Sequence, residues 1–259
     1  MAPVRSITSR DNPLLVRLRK LGADPGAYRK LGEVWLEGDH LCDAFVQRGG
    51  AAAHAVITEA AWQAPRWRAL AARAAEVSVV TAALMEGLST LESPPPLGFV
   101  VAWPGPGTVA PGQPTVVLDR LQDAGNAGTI LRSAAAFGFT QVVALKGTAA
   151  LWSPKVLRAG MGAHFGLALV EGVDTVNGLD VPLFATSSHA DRAIDEVRLP
   201  WPCAWVLGHE GQGVASSLLE QSALRLRIPQ PGGEESLNVA AAAAVCLYES
   251  ARQRRSGSS

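Results

Sequence analysis

The chain has 259 residues, 48% hydrophobic content and a formal net charge of zero at pH 7. This length allows one or two globular domains, each with a sizeable core. Neutral overall charge excludes a protein that is held to nucleic acid mainly by a large positive field. The sequence contains no run of about 18 apolar residues, and its first residues lack the apolar core of a signal peptide. We therefore predict a cytoplasmic protein that does not span a membrane.

Cysteine and histidine spacing gives no sign of a metal site. Cys42, Cys203 and Cys246 lie far apart and form no Cys-x-x-Cys motif, which predicts buried thiols in a reducing compartment rather than disulfides. The histidines, His189 and His209 among them, show neither ligand spacing nor a link to a nucleophile motif. We expect no bound metal.

The first thirty residues are basic, with seven Lys or Arg against two Asp. Residues 13–21 have apolar positions at helical spacing, with Asp11 or Asn12 available as cap and Pro13 suited to the first turn. Two interpretations stay open: a solvated helix face, or a surface that contacts RNA phosphates. For the second, the candidate RNA-binding residues are Arg5, Arg10, Arg17, Arg19 and Lys20.

A small α/β domain is predicted for residues 1–103. Short β-type runs occur at residues 34–38, 55–58, 77–80 and 98–102, and Ala-rich helical segments such as 61–75 separate them. Residues 104–114 contain four prolines and three glycines and cannot extend a helix or a central strand. We interpret them as a linker to a second domain, residues 115–259.

The second domain is predicted to hold an open, parallel sheet covered on both faces. Its strand-like segments are near-continuous apolar runs separated by helical stretches, at residues 115–119, 141–145, 166–170, 182–186, 204–208 and 224–229. In such sheets, ligands bind outside the carboxyl ends of the strands. This rule selects the loops after Asp119, Thr186, Gly208 and Pro229.

Three polar, glycine-containing segments lie in or after these loops. They are Asn126-Ala-Gly-Thr-Ile-Leu-Arg132, Gly208-His-Glu-Gly-Gln-Gly213 and Ser236-Leu-Asn238. Taken singly they are ambiguous, because Asn126 and Ser236 could simply cap helices and Arg132 could face solvent or an anion. None forms a dinucleotide fingerprint or a phosphate-binding loop. A carboxylate between glycines, Glu210, suits hydrogen bonding or a cationic partner better than nucleotide phosphates.

In order and spacing, these segments resemble the three motifs of the SpoU (TrmH-like) family of RNA ribose 2′-O-methyltransferases, in the SPOUT class. Residues 6–13 and 36–41 resemble the L30e-like substrate-binding domain found on many members. The resemblance implies a trefoil knot in the second domain, S-adenosyl-L-methionine bound there, and a homodimer whose sites include residues of both subunits. Two departures are Ala124, where the family often has Pro, and His209, where Ser or Asn is common.

The resemblance also implies site residues. The catalytic set is Arg132, Asn126, Glu210, Ser236 and Asn238. The cofactor-binding set is Thr186, Leu207, Gly208, Glu210, Gly213, Ile228, Ser236, Leu237 and Asn238. A guanidinium has a pKa above about 12 and is a poor base, so we expect Arg132 to orient phosphate and stabilise the developing alkoxide.

The predicted function is S-adenosylmethionine-dependent methylation of a ribose 2′-OH in structured RNA, with 23S-type ribosomal RNA as the substrate. Two alternatives remain: a tRNA 2′-O-methyltransferase, and a non-catalytic RNA-binding or ribosome-assembly factor. The resemblance does not indicate which nucleotide is modified.

Overall fold

The computed structural model describes residues 2–187, 190–232 and 236–256. The chain divides into two compact units. Unit 1 comprises Met1–Gly105 and Trp152–Phe165, and unit 2 comprises Pro106–Leu151 and Gly166–Ser259. The assignment of one domain to substrate binding and the other to catalysis stays a prediction, as do the domain boundaries.

Unit 1 contains a five-stranded sheet in the order β1-β4-β3-β5-β2. Its strands are β1 (Val4–Ile7), β2 (Glu33–Glu37), β3 (His54–Thr58), β4 (Glu76–Val80) and β5 (Leu97–Ala102). Strands β1, β4 and β3 run parallel, whereas β5 is antiparallel to both β3 and β2. The four predicted β-type runs are confirmed. The sequence did not predict β1, because three of its four residues are exposed and show no apolar pattern.

The described part of unit 1 also contains α-helices. They are α1 (Pro13–Ala23), α2 (Ala27–Leu31), α3 (Asp39–Gln47), α4 (Glu59–Gln63), α5 (Pro65–Ala71), α6 (Ala82–Glu86) and α8 (Pro154–Gly160). Asn12 caps α1 by accepting the N–H of Leu14 at 2.9 Å, as predicted. The helical segment predicted at 61–75 is instead two short helices, because Pro65 lacks an N–H and starts a new helix.

Unit 2 contains a seven-stranded sheet in the order β10-β12-β9-β11-β6-β7-β8, and every paired strand is parallel. The strands are β6 (Thr115–Leu118), β7 (Gln141–Leu145), β8 (Ala168–Val173), β9 (Leu183–Thr186), β10 (Arg192–Ala193), β11 (Ala204–Leu207) and β12 (Leu224–Arg227). The predicted parallel sheet is confirmed. Strands β6, β7 and β11 are buried along their whole length, which explains their continuous apolar sequences.

Three α-helices belong to the described part of unit 2: α7 (Ala124–Ala136), α9 (Ser216–Gln221) and α10 (Val239–Ser256). Helix α10 packs against α7 and β11. Within the described ranges, no helix is both long enough and apolar enough to cross a membrane.

Candidate active site

The three polar segments follow strands that lie close together in the sheet. Strands β12, β9, β11 and β6 are consecutive in the sheet, so their carboxyl ends lie at one edge. The first segment follows β6, the second follows β11, and the third follows β12. The loops selected from the sequence therefore meet at one place, where open parallel sheets bind ligands.

The cap of helix α7 lies three residues before the predicted one. Its cap is Asp123, whose Oδ1 accepts the N–H of Asn126 at 2.7 Å. The prediction that Asn126 caps this helix is wrong, because Asp123 is an equally good cap and lies earlier in the chain. The side chain of Asn126 is consequently available for contacts outside the helix.

Glu210 connects the second segment to the first. Its Oε1 accepts the N–H of Asp123 at 3.1 Å and the Nδ2–H of Asn126 at 3.3 Å, and its Oε2 accepts the N–H of Gln122 at 3.3 Å. Burial acts to raise the pKa of Glu210, but hydrogen bonds from its own N–H and from these three donors outweigh burial and lower the pKa. The carboxylate stays ionised at neutral pH and holds the two loops together.

Asn238 connects the third segment to the first. Its Oδ1 accepts the N–H groups of Ala240 at 2.9 Å and Ala241 at 3.3 Å, so Asn238 caps α10. The interpretation of Ser236 as this cap is wrong, because the helix begins only at Val239. The Nδ2–H of Asn238 donates to Oδ1 of Asn126 at 3.1 Å. The side-chain amide of Asn126 therefore forms hydrogen bonds with both Glu210 and Asn238.

Arg132 lies on the same helix as Asn126 but on a different side. The two residues are six positions apart, which places them roughly 120° apart around the helix axis. The side chain of Arg132 is exposed. The structure thus joins Asn126, Glu210 and Asn238 by hydrogen bonds and leaves Arg132 outside that network.

A cavity of about 390 Å³ opens beside the network. Its lining is Thr186, Ser187, Gly208, His209, Glu210, Gly213, Val214, Ile228, Gln230, Ser236, Leu237, Asn238, Val239 and Ala242. Every predicted cofactor-binding residue contributes to this lining except Leu207, which is fully buried at the end of β11. A Cβ on Gly208 would come within 2.3 Å of the backbone of Gly213, so only glycine fits there.

Sequence reasoning missed several contributors. The Nδ1 of His209 accepts the N–H groups of Gly211 at 3.0 Å and Gln212 at 3.2 Å, so this side chain supports the second segment. Asp119 and Arg120 also reach this loop. The position of Asp119 directly after a buried strand was a usable signal.

The basic N-terminal residues lie in unit 1 and are largely solvated. Arg17 pairs with Glu33 at 3.1 Å, and Nη2 of Arg19 donates to the carbonyl of Arg10 at 2.7 Å. Arg5 and Lys20 are exposed. These positions are compatible with both interpretations of the basic segment.

The cysteines are free and buried, which confirms the prediction of buried thiols. In the part of the chain that the structure describes, no group of three or more His, Cys, Asp or Glu is arranged to hold a metal ion. His189, one of the histidines without ligand spacing in the sequence, lies outside the described residues.

Comparison with known proteins agrees with this geometry. Residues 113–248 match the SpoU rRNA Methylase family. The chain belongs to that family. A protein of Synechocystis described as an uncharacterized tRNA/rRNA methyltransferase is 33% identical over 97% of this chain and 95% of its own length. The predicted family and enzyme class are confirmed.

Two further matches concern a relative from Bacillus subtilis and a solved structure. A Bacillus subtilis 23S rRNA (guanosine(2553)-2′-O)-methyltransferase is 36% identical over 54% of this chain and 58% of its own length. A crystal structure of an RNA 2′-O ribose methyltransferase has a TM-score of 0.81 at 29% identity, covering 97% of this chain and all of that one. The predicted α/β fold class is confirmed.

Proposed function

We propose that the protein transfers a methyl group from S-adenosylmethionine to a ribose 2′-OH in structured RNA. The observation that carries the proposal is the hydrogen-bonded series Glu210, Asn126 and Asn238, which joins all three family motifs beside one cavity. Each of these three residues has the residue type that the family resemblance implies at its position. An intact set of this kind argues against the alternative of a non-catalytic RNA-binding factor.

The cavity suits S-adenosylmethionine. Its volume lies within the usual range for small-molecule sites, about 300–1,000 Å³. Gly208 permits close approach of a ligand to the backbone, Leu237 and Val239 supply apolar surface, and Thr186 and Ser236 supply hydroxyls. When bound, S-adenosylmethionine supplies a methyl group on a sulfonium sulfur. Glu210 orders the loop beside it, while Ser236 and Asn238 shape the site.

The chemistry requires mainly positioning. Methyl transfer needs the ribose oxygen in line with the reacting methyl, and holding reactants in that geometry accounts for much of the rate enhancement. Arg132 is exposed and positively charged, so it can bind the RNA phosphate next to the target ribose and stabilise the alkoxide that develops.

We propose 23S-type ribosomal RNA as the substrate. The Bacillus subtilis relative, which matches 54% of this chain, supports this choice. The description of the Synechocystis relative names both tRNA and rRNA, so a tRNA substrate stays the second candidate. Arg5, Arg10, Arg17, Arg19 and Lys20 would contact phosphates, giving affinity that decreases with salt.

A homodimer is also part of the proposal. Ala241, Val245 and Tyr248 form an exposed stripe at helical spacing on α10, with Val245 39% and Tyr248 48% exposed. Such a stripe suits a second copy of the chain.

We expect sedimentation to give twice the chain mass, and Val245→Glu to give a monomer. The control Ser217→Glu, at an exposed position of α9, should stay dimeric. A monomeric wild type contradicts the proposal.

The trefoil knot and the cytoplasmic location stay predictions.

Transfer of labelled methyl groups tests the activity. Purified protein, ribosomal RNA and tRNA pools are incubated with labelled S-adenosylmethionine, and nuclease digestion then locates any 2′-O-methyl nucleotide. We expect one modified position in 23S-type RNA. Modification of tRNA alone supports the second candidate, and no incorporation into either pool contradicts both.

Arg132→Ala tests the assignment of the arginine. We expect methyl transfer to be lost while the affinity for S-adenosylmethionine, measured by calorimetry, stays nearly unchanged. Arg198→Ala removes another exposed arginine of unit 2 and should retain activity. If Arg132→Ala loses cofactor binding equally, its role is structural.

A further inference from the structure

A buried carboxylate stands at the end of β6. Asp119 is 2% exposed, and its Oδ2 accepts the N–H of Ala215 at 2.7 Å. Its two oxygens also accept Nε–H and Nη2–H of Arg120, at 2.9 and 3.1 Å. Burying a charge is unfavourable unless it is paired and hydrogen bonded, and both conditions are met here.

Arg120 extends this pairing to the glycine-rich loop. Its Nη1–H donates to Oε1 of Gln212 at 3.0 Å, and its Nη2–H reaches the carbonyl oxygen of Gly213 at 3.5 Å. The backbone of Arg120 has φ of +56°, in the left-handed region that side chains with a Cβ seldom adopt. This conformation directs the arginine to its neighbour Asp119 and across to the loop.

The loop 209–215 is therefore attached at two places. Glu210 binds Gln122, Asp123 and Asn126 at one side. At the other side, the loop is bound by the Asp119–Arg120 pair. Four residues of this loop, His209, Glu210, Gly213 and Val214, line the cavity. The pair has no net charge, and the contacts described for it lie within the protein.

We propose that Asp119 and Arg120 are positioning residues for the methyl donor, because they hold the cavity lining in its binding conformation before the donor arrives. The inference rests on the proposed function. When a mobile loop becomes ordered on binding, the lost conformational freedom weakens affinity. A loop that is already ordered avoids this cost, so the ligand binds more tightly. Because the pair is needed to order the loop, its loss raises KM for the donor and leaves kcat nearly unchanged.

Arg120→Gly is the main test. Glycine adopts φ of +56° without strain, so the variant loses the guanidinium contacts but keeps the backbone conformation. We expect donor affinity to fall about tenfold, equivalent to 1.4 kcal/mol, with kcat within about twofold. Tm should also fall, because the carboxylate of Asp119 loses its ion pair. Arg120→Lys keeps the positive charge but lacks the planar guanidinium with its paired N–H groups. Its affinity for the methyl donor should lie between those of Arg120→Gly and the wild type. Lys146→Ala removes another cation at the same sheet edge, one that pairs with exposed Asp174, and should change nothing.

Hydrogen exchange of the ligand-free protein gives a second readout. We expect the amides of residues 211–215 to exchange faster in Arg120→Gly than in the wild type. Unchanged exchange overturns the inference, and so does unchanged donor affinity in an enzyme that methylates RNA. If exchange is faster but the wild type transfers no methyl group, the ordering role is supported and the proposed function fails instead.

Discussion

Asn126 has a role in the site that depends on its amide group. The amide donates to Glu210 and accepts from Asn238 at the same time, which neither a carboxylate nor an ammonium group can do at neutral pH. From the residues alone Asn126 could cap a helix, and only the family resemblance placed it in the catalytic set. Which of two nearby polar residues caps a helix is decided by contacts with distant segments, here Glu210 and Asn238, and those are not visible locally.

We expect Asn126→Asp to make stability more dependent on pH. The substitution places a second carboxylate beside Glu210, and mutual repulsion raises the pKa of one of the two groups. The destabilisation relative to the wild type should be greatest at pH 8 and smaller at pH 5, where one carboxyl binds a proton more readily. Thermal denaturation at both values measures it. Asn126→Ala is the control, with a deficit that stays constant between them.

His54 makes unit 1 sensitive to acid. Its Nε2 lies 2.7 Å from Oγ of Ser78, and its Nδ1 lies 3.6 Å from Oε2 of Glu76. Burial lowers the pKa of His54 below its usual 6.5, Arg17 and Arg5 act in the same direction, and Glu76 opposes them. The unfolded chain therefore binds the proton more readily, so stability present above about pH 6.5 is lost as pH falls through the folded pKa.

Urea denaturation between pH 5 and 8 tests this prediction. His54→Gln can keep a hydrogen bond to Ser78 without titrating, so its stability should decrease less at low pH than that of the wild type. His40→Gln, at an exposed position, should follow the wild type. Parallel pH curves for the wild type and His54→Gln contradict the assignment.

At the scale of elements, the sheet of unit 2 was predictable because its buried parallel strands are continuous apolar runs. The exceptions have physical reasons. Strand β1 is largely exposed and β10 has only two residues, so neither carries a pattern. Arg120 has a left-handed backbone, and no sequence rule predicts that conformation for an arginine.

Helix α10 is joined to β11 by a buried hydrogen bond. Nε1–H of fully buried Trp205 donates to Oγ of Ser250 at 2.9 Å, and that hydroxyl donates to the carbonyl of Cys246 at 3.0 Å. Ser250→Ala leaves a buried indole N–H without its partner, which should lower the free energy of unfolding by about 1–3 kcal/mol. Denaturant titration measures the change.

Ser256→Ala is a matched control for this prediction. Its hydroxyl makes the same type of bond to the carbonyl four residues earlier, Arg252, at 3.2 Å, but in an exposed position. We expect a change within about 0.5 kcal/mol. Equal effects of the two substitutions would show that the Trp205 contact contributes little.

For the whole molecule, the three thiols report unfolding. Burial raises the pKa of Cys203 to about 11 and also raises the pKa values of Cys42 and Cys246. At pH 8 the native protein should resist alkylation, and denaturant should expose all three thiols. Pulse alkylation with mass spectrometry identifies each one. Because Cys42 belongs to unit 1 and the others to unit 2, different labelling midpoints would mean that the units unfold separately. Labelling of any thiol in the native protein contradicts the prediction.

The discontinuity of unit 1 has a consequence for the order of synthesis. Helix α8 belongs to unit 1 and packs on edge strand β2, where Arg158 pairs with the nearly buried Glu37 at 3.3 Å. All five strands of that sheet leave the ribosome before this helix does, and β6, α7 and β7 of unit 2 also precede it. A nascent chain halted after Gly105 thus carries Glu37 without its cation. Unit 1 reaches its final packing only after part of unit 2 has been made.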